Sequence, residues 1–323
     1  MLLNNPVLIA EKTSDWKRRF GRNTRAVVST WALTFLVLLV LAWPLALKLA
    51  SICGHRGAQF AYQHQPQQLS SEQFQAPSAT HWFGTDVHGR DLFSRVFYGA
   101  QVSLLVGVVG AGVSLIIGVL WGAVAGYAGG RTDSVMMRFV DILYSLPSII
   151  LVIVLLTTLE GVLKMWLARL GTTSINNSTR LLFLFIGLGA VSWLNMARIV
   201  RGQVLSLKQR AFVEASRALG AGPWHILLRH IIPNTLGVVV VYLTLTVPAI
   251  ILYESFLSYL GLGIEPPMAS WGSLIAEGAE QINSIRIYWW LIVFPGGMLV
   301  LTLLALNFVG DGLRDAWEVR RGS

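Results

Sequence analysis

Residues 211–233 have the sequence AFVEASRALGAGPWHILLRHIIP and form the longest amphipathic, charge-bearing segment between two apolar runs. Residues 211–219 are good helix formers, and Gly220-Ala221-Gly222 can supply the positive φ that ends a helix. Pro223 suits the first position of a second helix, where its missing N–H costs nothing. We expect that helix to stop at Pro233. A short polar loop would suffice to connect two membrane spans, so two amphipathic helices predict a docking surface.

The composition is that of a membrane protein. Of the 323 residues, 54% are hydrophobic and 13% are charged, whereas about 25% of a soluble domain is charged. Apolar runs long enough to cross a bilayer recur along the chain, and no cleavable signal peptide is evident. The single cysteine excludes an internal disulfide. We predict an all-α membrane protein with six transmembrane helices, near residues 26–47, 100–126, 142–159, 181–197, 231–253 and 287–310.

The distribution of charge predicts the orientation. If both termini are cytoplasmic, the cytoplasmic segments contain 17 of the 25 Lys and Arg residues, and the external segments contain eight. The 16 acidic residues divide evenly between the two sides. The whole net charge of +9 then lies on the cytoplasmic face, as the positive-inside rule requires. The basic composition therefore predicts no nucleic-acid partner, and it places residues 211–233 in the cytoplasm.

The same pattern divides the chain into four parts. Residues 1–25 are predicted to be a cytoplasmic N-terminal segment, and residues 26–99 the first transmembrane helix with an external loop. Residues 100–310 are predicted to form a core of five transmembrane helices with a cytoplasmic loop at 198–233. Residues 311–323 complete the chain as a cytoplasmic tail.

A second motif, HWFGTDVHGRD at residues 81–91, precedes the second predicted span. Gly84 and Gly89 indicate tight turns. Asp91 is expected to cap a following helix, and Arg95 to extend its charged end toward water. His81, His88, Asp86 and Asp91 have the residue types of a metal site, but they share no regular helical spacing. Turn chemistry accounts for them, so we predict no metal here.

The chain contains no catalytic motif that we can identify. It has no Gly-Lys dipeptide, and therefore no Walker A loop to hold nucleotide phosphates, and no G-x-S-x-G nucleophile motif. No charged residue lies in the middle of a predicted span, which disfavours an ion-coupled carrier. Glu254 is assigned to a solvated helix end at the fifth span. Four polar span residues are expected to form hydrogen bonds between helices: Asn195, Thr244, Thr246 and Asn307.

The motifs together resemble one protein family. EASRALG followed by RHIIP, residues 214–233, resembles the EAA loop in the membrane subunits of ABC importers. The pattern GTD-x-x-GRD at 84–91 is similar to that of C-type permease subunits of oligopeptide, dipeptide and nickel importers, with oligopeptide permeases the most similar. LSYLGLGIEPPMASWG at 257–272 and GDGLRDA at 310–316 resemble two further signatures of that family. Ser216 stands where the family often has alanine.

The resemblance implies a type I ABC importer permease fold and a coupling helix that sits in a groove of an ATPase subunit. The implied coupling residues are Glu214, Ala215, Ser216, Ala218, Leu219, Gly220, Ala221, Gly222 and Trp224. The implied external motif consists of Gly84, Thr85, Asp86, Gly89, Arg90 and Asp91. No catalytic residue and no metal ligand is implied.

By the same resemblance, this multi-pass subunit of the bacterial plasma (inner) membrane pairs with a B-type permease subunit and two ABC ATPase subunits. An external binding protein delivers peptides, with oligopeptides expected first and dipeptides next. ATP and Mg²⁺ are expected on the ATPase subunits, so this chain has no cofactor and is not an enzyme. Membrane lipid is the remaining partner. Three alternatives stay open: a permease for nickel or another small solute, an ion-coupled carrier, and a membrane-embedded enzyme or signalling subunit.

Overall fold

The computed structural model describes residues 17–169, 177–283 and 286–318, and the ordered elements of these ranges are almost all helical. We number the helices in chain order. They are α1 (Thr24–Ile52), α2 (Gly54–Gln63), α3 (Leu92–Ala128), α4 (Gly130–Tyr144), α5 (Ser148–Arg169), α6 (Asn177–Lys208), α7 (Ala211–Ala218), α8 (Pro223–Ile226), α9 (Ile232–Tyr259), α10 (Trp271–Glu280) and α11 (Trp290–Glu318).

Among the described residues, five segments are long and apolar enough to cross a membrane, and a bent helix pair adds a sixth crossing if it is one span. The predicted all-α membrane fold is therefore confirmed, but the helices are longer than the predicted spans. Helix α3 begins at Leu92 rather than Ala100, because the Asp91 side chain caps it there. Helix α11 continues to Glu318, so most of the predicted tail after residue 310 is helical.

The third predicted span, 142–159, is wrong at its start. The chain bends by 94° between α4 and α5. Pro147 lies in the break, where a proline cannot continue the helical hydrogen-bond ladder. Helix α4 carries Arg131, Asp133, Arg138 and Asp141 and is amphipathic, whereas α5 is apolar through most of its length.

Helix α3 is the central element, and its glycines bring α6 close to it. A Cβ atom placed on Gly118, Gly122 or Gly126 would meet atoms of α6 at 3.0 Å or less. A Cβ atom on Gly107 would lie 2.5 Å from an isoleucine side chain of α9. Small residues thus allow the helices to approach closely at these positions. Gly112 is different, because a Cβ atom there would meet nothing within 4 Å.

The helix–glycine–helix pattern of residues 211–233 is confirmed up to its end. Helix α7 stops at Ala218, Gly220 has a φ of +82°, and Pro223 is the first residue of α8. Pro233, however, does not interrupt the second helix. A π-helical turn at Leu227–Ile231 joins α8 to α9, and Pro233 lies in the first turn of α9, where its missing N–H is tolerated.

The glycine contacts yield a prediction for stability. We expect Gly122→Ala to lower the free energy of unfolding by about 1–3 kcal/mol, because the new methyl group meets backbone atoms of α6. Gly112→Ala is the matched control on the same helix, and we expect it to be neutral or to stabilise by up to about 1 kcal/mol. Thermal unfolding of the two purified variants measures the difference. Equal stabilities would contradict the proposed packing role.

Candidate coupling surface, buried brace and transmembrane cleft

The residues predicted to couple the chain to an ATPase form one exposed platform, which comprises α7, the glycine turn and the start of α8. Ser216 and Ala221 are partly buried, and the other seven predicted residues are exposed. Two of the exposed residues are large and apolar: Leu219 is 88% exposed and Trp224 is 65% exposed. Val213, on the opposite side of α7, is fully buried. The platform therefore has an inner side that anchors it and an outer side that is exposed in the described part of the chain.

The anchoring side connects the platform to the central helices. Val213 packs in a cluster with Val200 and Val204 of α6. The Lys208 ammonium group donates a hydrogen bond to the Tyr127 carbonyl oxygen at 2.6 Å. The platform is therefore held to α6 by apolar contact, while Lys208, the last residue of α6, joins that helix to the last turn of α3 by a charge-assisted hydrogen bond. The guanidinium carbon of Arg217, on α7, also lies 5.8 Å from the centroid of the Tyr127 ring.

Two ion pairs lie near the same end of the molecule and join α6 to α4. The Arg201 guanidinium group donates two hydrogen bonds to the Asp133 carboxylate. Arg198 Nη2 lies 2.7 Å from Asp141 Oδ1. These contacts hold α4 beside α6, so α4, α6 and the platform meet at one end of the central helix pair.

The predicted external motif lies at the other end of α3. Thirty-six residues at about 1.5 Å each separate Asp91 from Tyr127, a separation of roughly 54 Å along the helix axis. That distance exceeds the ~30 Å hydrocarbon thickness of a bilayer. The two motifs identified in the sequence therefore lie on opposite sides of the membrane if α3 crosses it.

Four charged residues, which we call the Asp86 brace, connect the motif to α10. They are Asp86, Arg90, Arg95 and Glu277. Asp86 Oδ2 accepts hydrogen bonds from Arg90 Nε at 2.7 Å and from Arg95 Nη1 at 2.6 Å. The Glu277 carboxylate accepts from Arg95 at 2.6 and 2.9 Å and from Arg90 at 3.2 Å. The prediction that Arg95 extends toward water is wrong, because its side chain is only 2% exposed and its guanidinium group is paired with two carboxylates.

The electrostatic balance at Asp86 favours the ionised carboxylate. Burial raises the pKa of Asp86, but the charges of Arg95 and Arg90 and backbone hydrogen bonds to Asp86 outweigh burial, so the pKa lies below its ordinary value of 3.8. Because burial strengthens these interactions, the brace holds the start of α3 firmly against α10.

All six residues predicted for the external motif are buried and lie together in this region. Gly84 and Gly89 have φ values of +79° and +70°, as the turn interpretation requires. The Thr85 hydroxyl donates to the Glu72 carbonyl oxygen and accepts from the Gln75 backbone N–H. The motif therefore organises the fold rather than offering an exposed surface.

Glu254 was missed by the sequence analysis, which assigned it to a solvated helix end. It is fully buried within the apolar segment 223–259. Its carboxylate accepts hydrogen bonds from Ser258 at 2.7 Å and from Ser103 at 3.1 Å, and Ser103 also accepts from the Trp271 backbone N–H. Glu254 thus links α9 to α3 and α10. The only signal in the sequence was its charge, because its α3 partner lies 151 positions away.

A cleft of about 350 Å³ opens between the bend after α4, α6 and α9. Its polar lining consists of Tyr144, Ser148, Ser192, Asn195, Tyr242, Thr246 and Tyr253. No charged residue is among the described residues that line it. Thr244 and Thr246 bond to carbonyl oxygens of their own helix, so the predicted bonds between helices are wrong for both. Thr246 instead presents its side chain at the cleft.

The Asp86 brace yields a prediction with a defined pH dependence. Asp86→Asn leaves two buried guanidinium groups with only Glu277, and we expect a loss of about 3–5 kcal/mol near neutral pH. Because the folded-state pKa is lowered, the carboxylate stabilises the fold above pH 3.8, and that contribution is lost as the pH falls below 3.8 toward the folded-state pKa. The stability difference between the wild type and Asp86→Asn should therefore narrow below pH 3.8.

Unfolding of the purified protein as a function of pH measures this difference. Asp311→Asn, at an exposed carboxyl group of α11, is the control and should cause no comparable loss. A difference that stays constant through the acid range would contradict the charge-based role of Asp86.

Comparison with known proteins agrees with this architecture. Residues 118–322 match the family described as binding-protein-dependent transport system inner membrane component. The oligopeptide transport system permease protein OppC of Haemophilus influenzae is 44% identical over 94% of this chain and 87% of its own length. OppC of Escherichia coli K12 is 45% identical over 94% and 90%. The dipeptide transport system permease protein DppC of Bacillus subtilis is 42% identical over 95% and 85%.

A solved structure shares the fold. A chain of the inward-facing methionine ABC transporter MetNI matches with a TM-score of 0.52 and 21% identity, over 70% of this chain and 97% of that chain. The predicted type I ABC importer permease fold is confirmed by this likeness together with the family match. The chain is thus a multi-pass transport component of the inner membrane, and it belongs to the family of binding-protein-dependent transport system inner membrane components.

Proposed function

We propose that this chain is one transmembrane subunit of an ATP-driven importer that takes up peptides delivered by an external binding protein. Relatives that align over 94% or more of the chain are oligopeptide and dipeptide permeases. In this proposal a second permease subunit completes the transport pathway, and two ATPase subunits supply the energy. The termini and the platform face the cytoplasm, and residues 100–310 form the transport core.

The observation that carries the coupling role is the exposure of apolar side chains on the platform. Leu219 and Trp224 project from a platform whose other exposed residues are charged or small. Beside them is an open groove lined by Trp224, His225, Leu228, Arg229 and Pro233. Exposed aromatic and aliphatic groups beside a cation are typical of a protein–protein contact. An ATPase subunit in the cytoplasm is the partner expected at this surface.

The contacts of the platform suggest how motion passes into the membrane. Val213 connects the platform to α6, and Lys208 at the end of α6 is bonded to the end of α3. Glycine contacts hold α3 and α6 together along their length. We therefore infer that the platform, α3 and α6 move as one rigid body when the ATPase subunits close. This movement opens the cleft alternately to the two sides of the membrane.

The cleft favours a peptide over a metal ion as the transported solute. Its polar groups are hydroxyl, phenol and amide groups, which hydrogen-bond to peptide groups of any sequence. Among the described lining residues there is no His, Cys, Asp or Glu to bind nickel. Such a permissive lining leaves most of the selection of substrate to the binding protein.

Glu254 reopens the ion-coupled alternative, since a buried carboxylate in a span often belongs to a proton pathway. Its contacts favour a structural role. The carboxylate is surrounded by serine hydroxyl groups and is not among the residues that line the cleft. The transport experiment described next therefore also tests whether the chain is an ion-coupled carrier.

The experiment measures uptake of a labelled peptide by proteoliposomes that contain the whole importer and enclose ATP. We expect uptake that requires ATP and is insensitive to dissipation of ion gradients. Leu219→Glu places a charge on the exposed apolar face without touching the fold, and it should reduce uptake by at least tenfold while the subunit remains in the membrane. Thr132→Glu, an exposed site on α4 near the same end, is the charge-matched control and should transport normally.

Normal ATP-dependent uptake by Leu219→Glu would contradict the coupling role of the platform. Uptake that persists without ATP and collapses with the proton gradient would instead favour the carrier. ATP-dependent uptake of nickel but not of peptide would overturn only the assignment of the substrate and not the role as an importer subunit.

A further inference from the structure

A cluster of metal-ligand side chains lies in the segment between α2 and α3, apart from the Asp86 brace. It consists of His64, His81 and Asp91, which are 4%, 6% and 0% exposed. Each offers one ligand atom, and the three atoms lie within 4.8 Å of one another. His64 follows the last turn of α2, His81 lies in the connecting loop, and Asp91 caps α3. The sequence analysis grouped His81 and Asp91 with Asp86 and His88, but Asp86 belongs to the brace and His88 is exposed.

The contacts of His81 direct one ring nitrogen into the cluster. Nε2 lies 3.3 Å from Glu72 Oε2, and Nδ1 lies 2.9 Å from Asp91 Oδ1. Histidines that bind metal ions usually donate their other N–H to a carboxylate or carbonyl group. With the proton on Nε2 and directed at Glu72, the lone pair of Nδ1 faces the Asp91 carboxylate. Two electron pairs at that distance repel each other unless a positive charge lies beside both.

His64 has a similar arrangement. Nδ1 lies 3.0 Å from the Phe60 carbonyl oxygen of its own helix, and Nε2 lies 3.1 Å from the Thr80 carbonyl oxygen. A neutral imidazole has one N–H, so it satisfies only one of these two acceptors. If the proton is on Nδ1 and is donated to Phe60, Nε2 has an unshared electron pair beside a second oxygen. This is again the environment of a cation ligand.

Asp91 is also held by one of its two oxygens. Its Oδ2 accepts a hydrogen bond from the Ser94 backbone N–H at 2.9 Å, as the cap of α3. Its Oδ1 faces His81. In these tautomers each of the three side chains has one atom held by a supporting contact and another atom within 4.8 Å of the ligand atoms of the other two.

Protonation of both histidines would be another way to satisfy these contacts. It would place two positive charges on buried rings whose centroids are 5.7 Å apart. The compensating groups would be Asp91, which is buried, and Glu72, whose side chain is 52% exposed. One divalent ion bound to two neutral imidazoles and a carboxylate satisfies the same atoms without two buried like charges.

We propose that His64, His81 and Asp91 bind a divalent transition-metal ion, and that zinc is the ion whose preferences they fit. Two imidazole nitrogens and one carboxylate oxygen are common zinc ligands, and the Thr80 carbonyl oxygen or a water molecule completes four-coordination. Magnesium and calcium prefer sites made wholly of oxygen atoms. The ion joins the end of α2, the connecting loop and the start of α3, and its role is structural. This proposal does not depend on the transported solute.

The test measures the zinc content of the importer complex purified with this chain. The complex is treated with a chelator, titrated with zinc sulfate and washed, and bound zinc is counted per complex by mass spectrometry. We expect His64→Ala and His81→Ala to contain one zinc equivalent fewer than the wild type. His88→Ala is the matched control, an exposed histidine of the same segment, and should retain the full zinc content.

A variant with a partial effect distinguishes weaker zinc binding from a failure to fold. Glu72→Gln leaves all three ligands in place and should weaken zinc binding by about 10–100-fold, as loss of a supporting carboxylate does. X-ray absorption at the zinc edge, measured on the wild-type complex and on His64→Ala, identifies the ligand atoms. The difference between the wild-type and His64→Ala spectra should show nitrogen and oxygen ligands without sulfur. Equal zinc contents in the wild type, His64→Ala and His81→Ala, or a wild type that binds no zinc, would overturn the proposal.

Discussion

The close contact between α3 and α6 is the constraint on which the rest of the structure depends. Helices in lipid gain little from apolar burial, so they associate through close packing, and glycines at 118, 122 and 126 permit it. The contact fixes the α3–α6 pair along most of the membrane thickness. The platform is anchored at one end of this pair and the Asp86 brace at the other. A subunit that must pass a movement across the membrane needs such a connection between its two ends.

The polar groups are arranged around that pair according to the free-energy cost of placing each of them in lipid. Most charges of the described helices lie near the two ends of the pair, where water or a carboxylate partner satisfies them. Glu254 is the exception inside an apolar segment, and its carboxylate is bonded to serines of α3 and α9. Uncharged polar side chains line the cleft instead. The structure therefore separates the groups that hold the helices together from those that line the cleft.

Local features of this fold were predictable from the sequence, and long-range ones were not. The helix break at Gly220, the start at Pro223 and the Asp91 cap depend on neighbouring residues, and all three were predicted correctly. The burial of Arg95 was not predicted, because its partner Glu277 lies 182 positions away. The bend before α5 was not predicted, because residues 142–159 form an apolar run that was taken as one span although it contains Pro147. The metal-ligand cluster needed His64, which is 17 positions from His81 and outside the recognised motif.

If the platform transmits movement as proposed, α3 and α6 move together as one rigid body. This rigid-body movement can be tested with spin labels on Leu105→Cys of α3 and Gly202→Cys of α6, two exposed sites, with Cys53 replaced by serine. About 19 residues of helix separate the two levels, so the labels should be roughly 30 Å apart. Double electron–electron resonance on the whole importer should give the same distance with the ATPase subunits open and with ATP trapped. A shift of several ångströms between the two states would contradict the account.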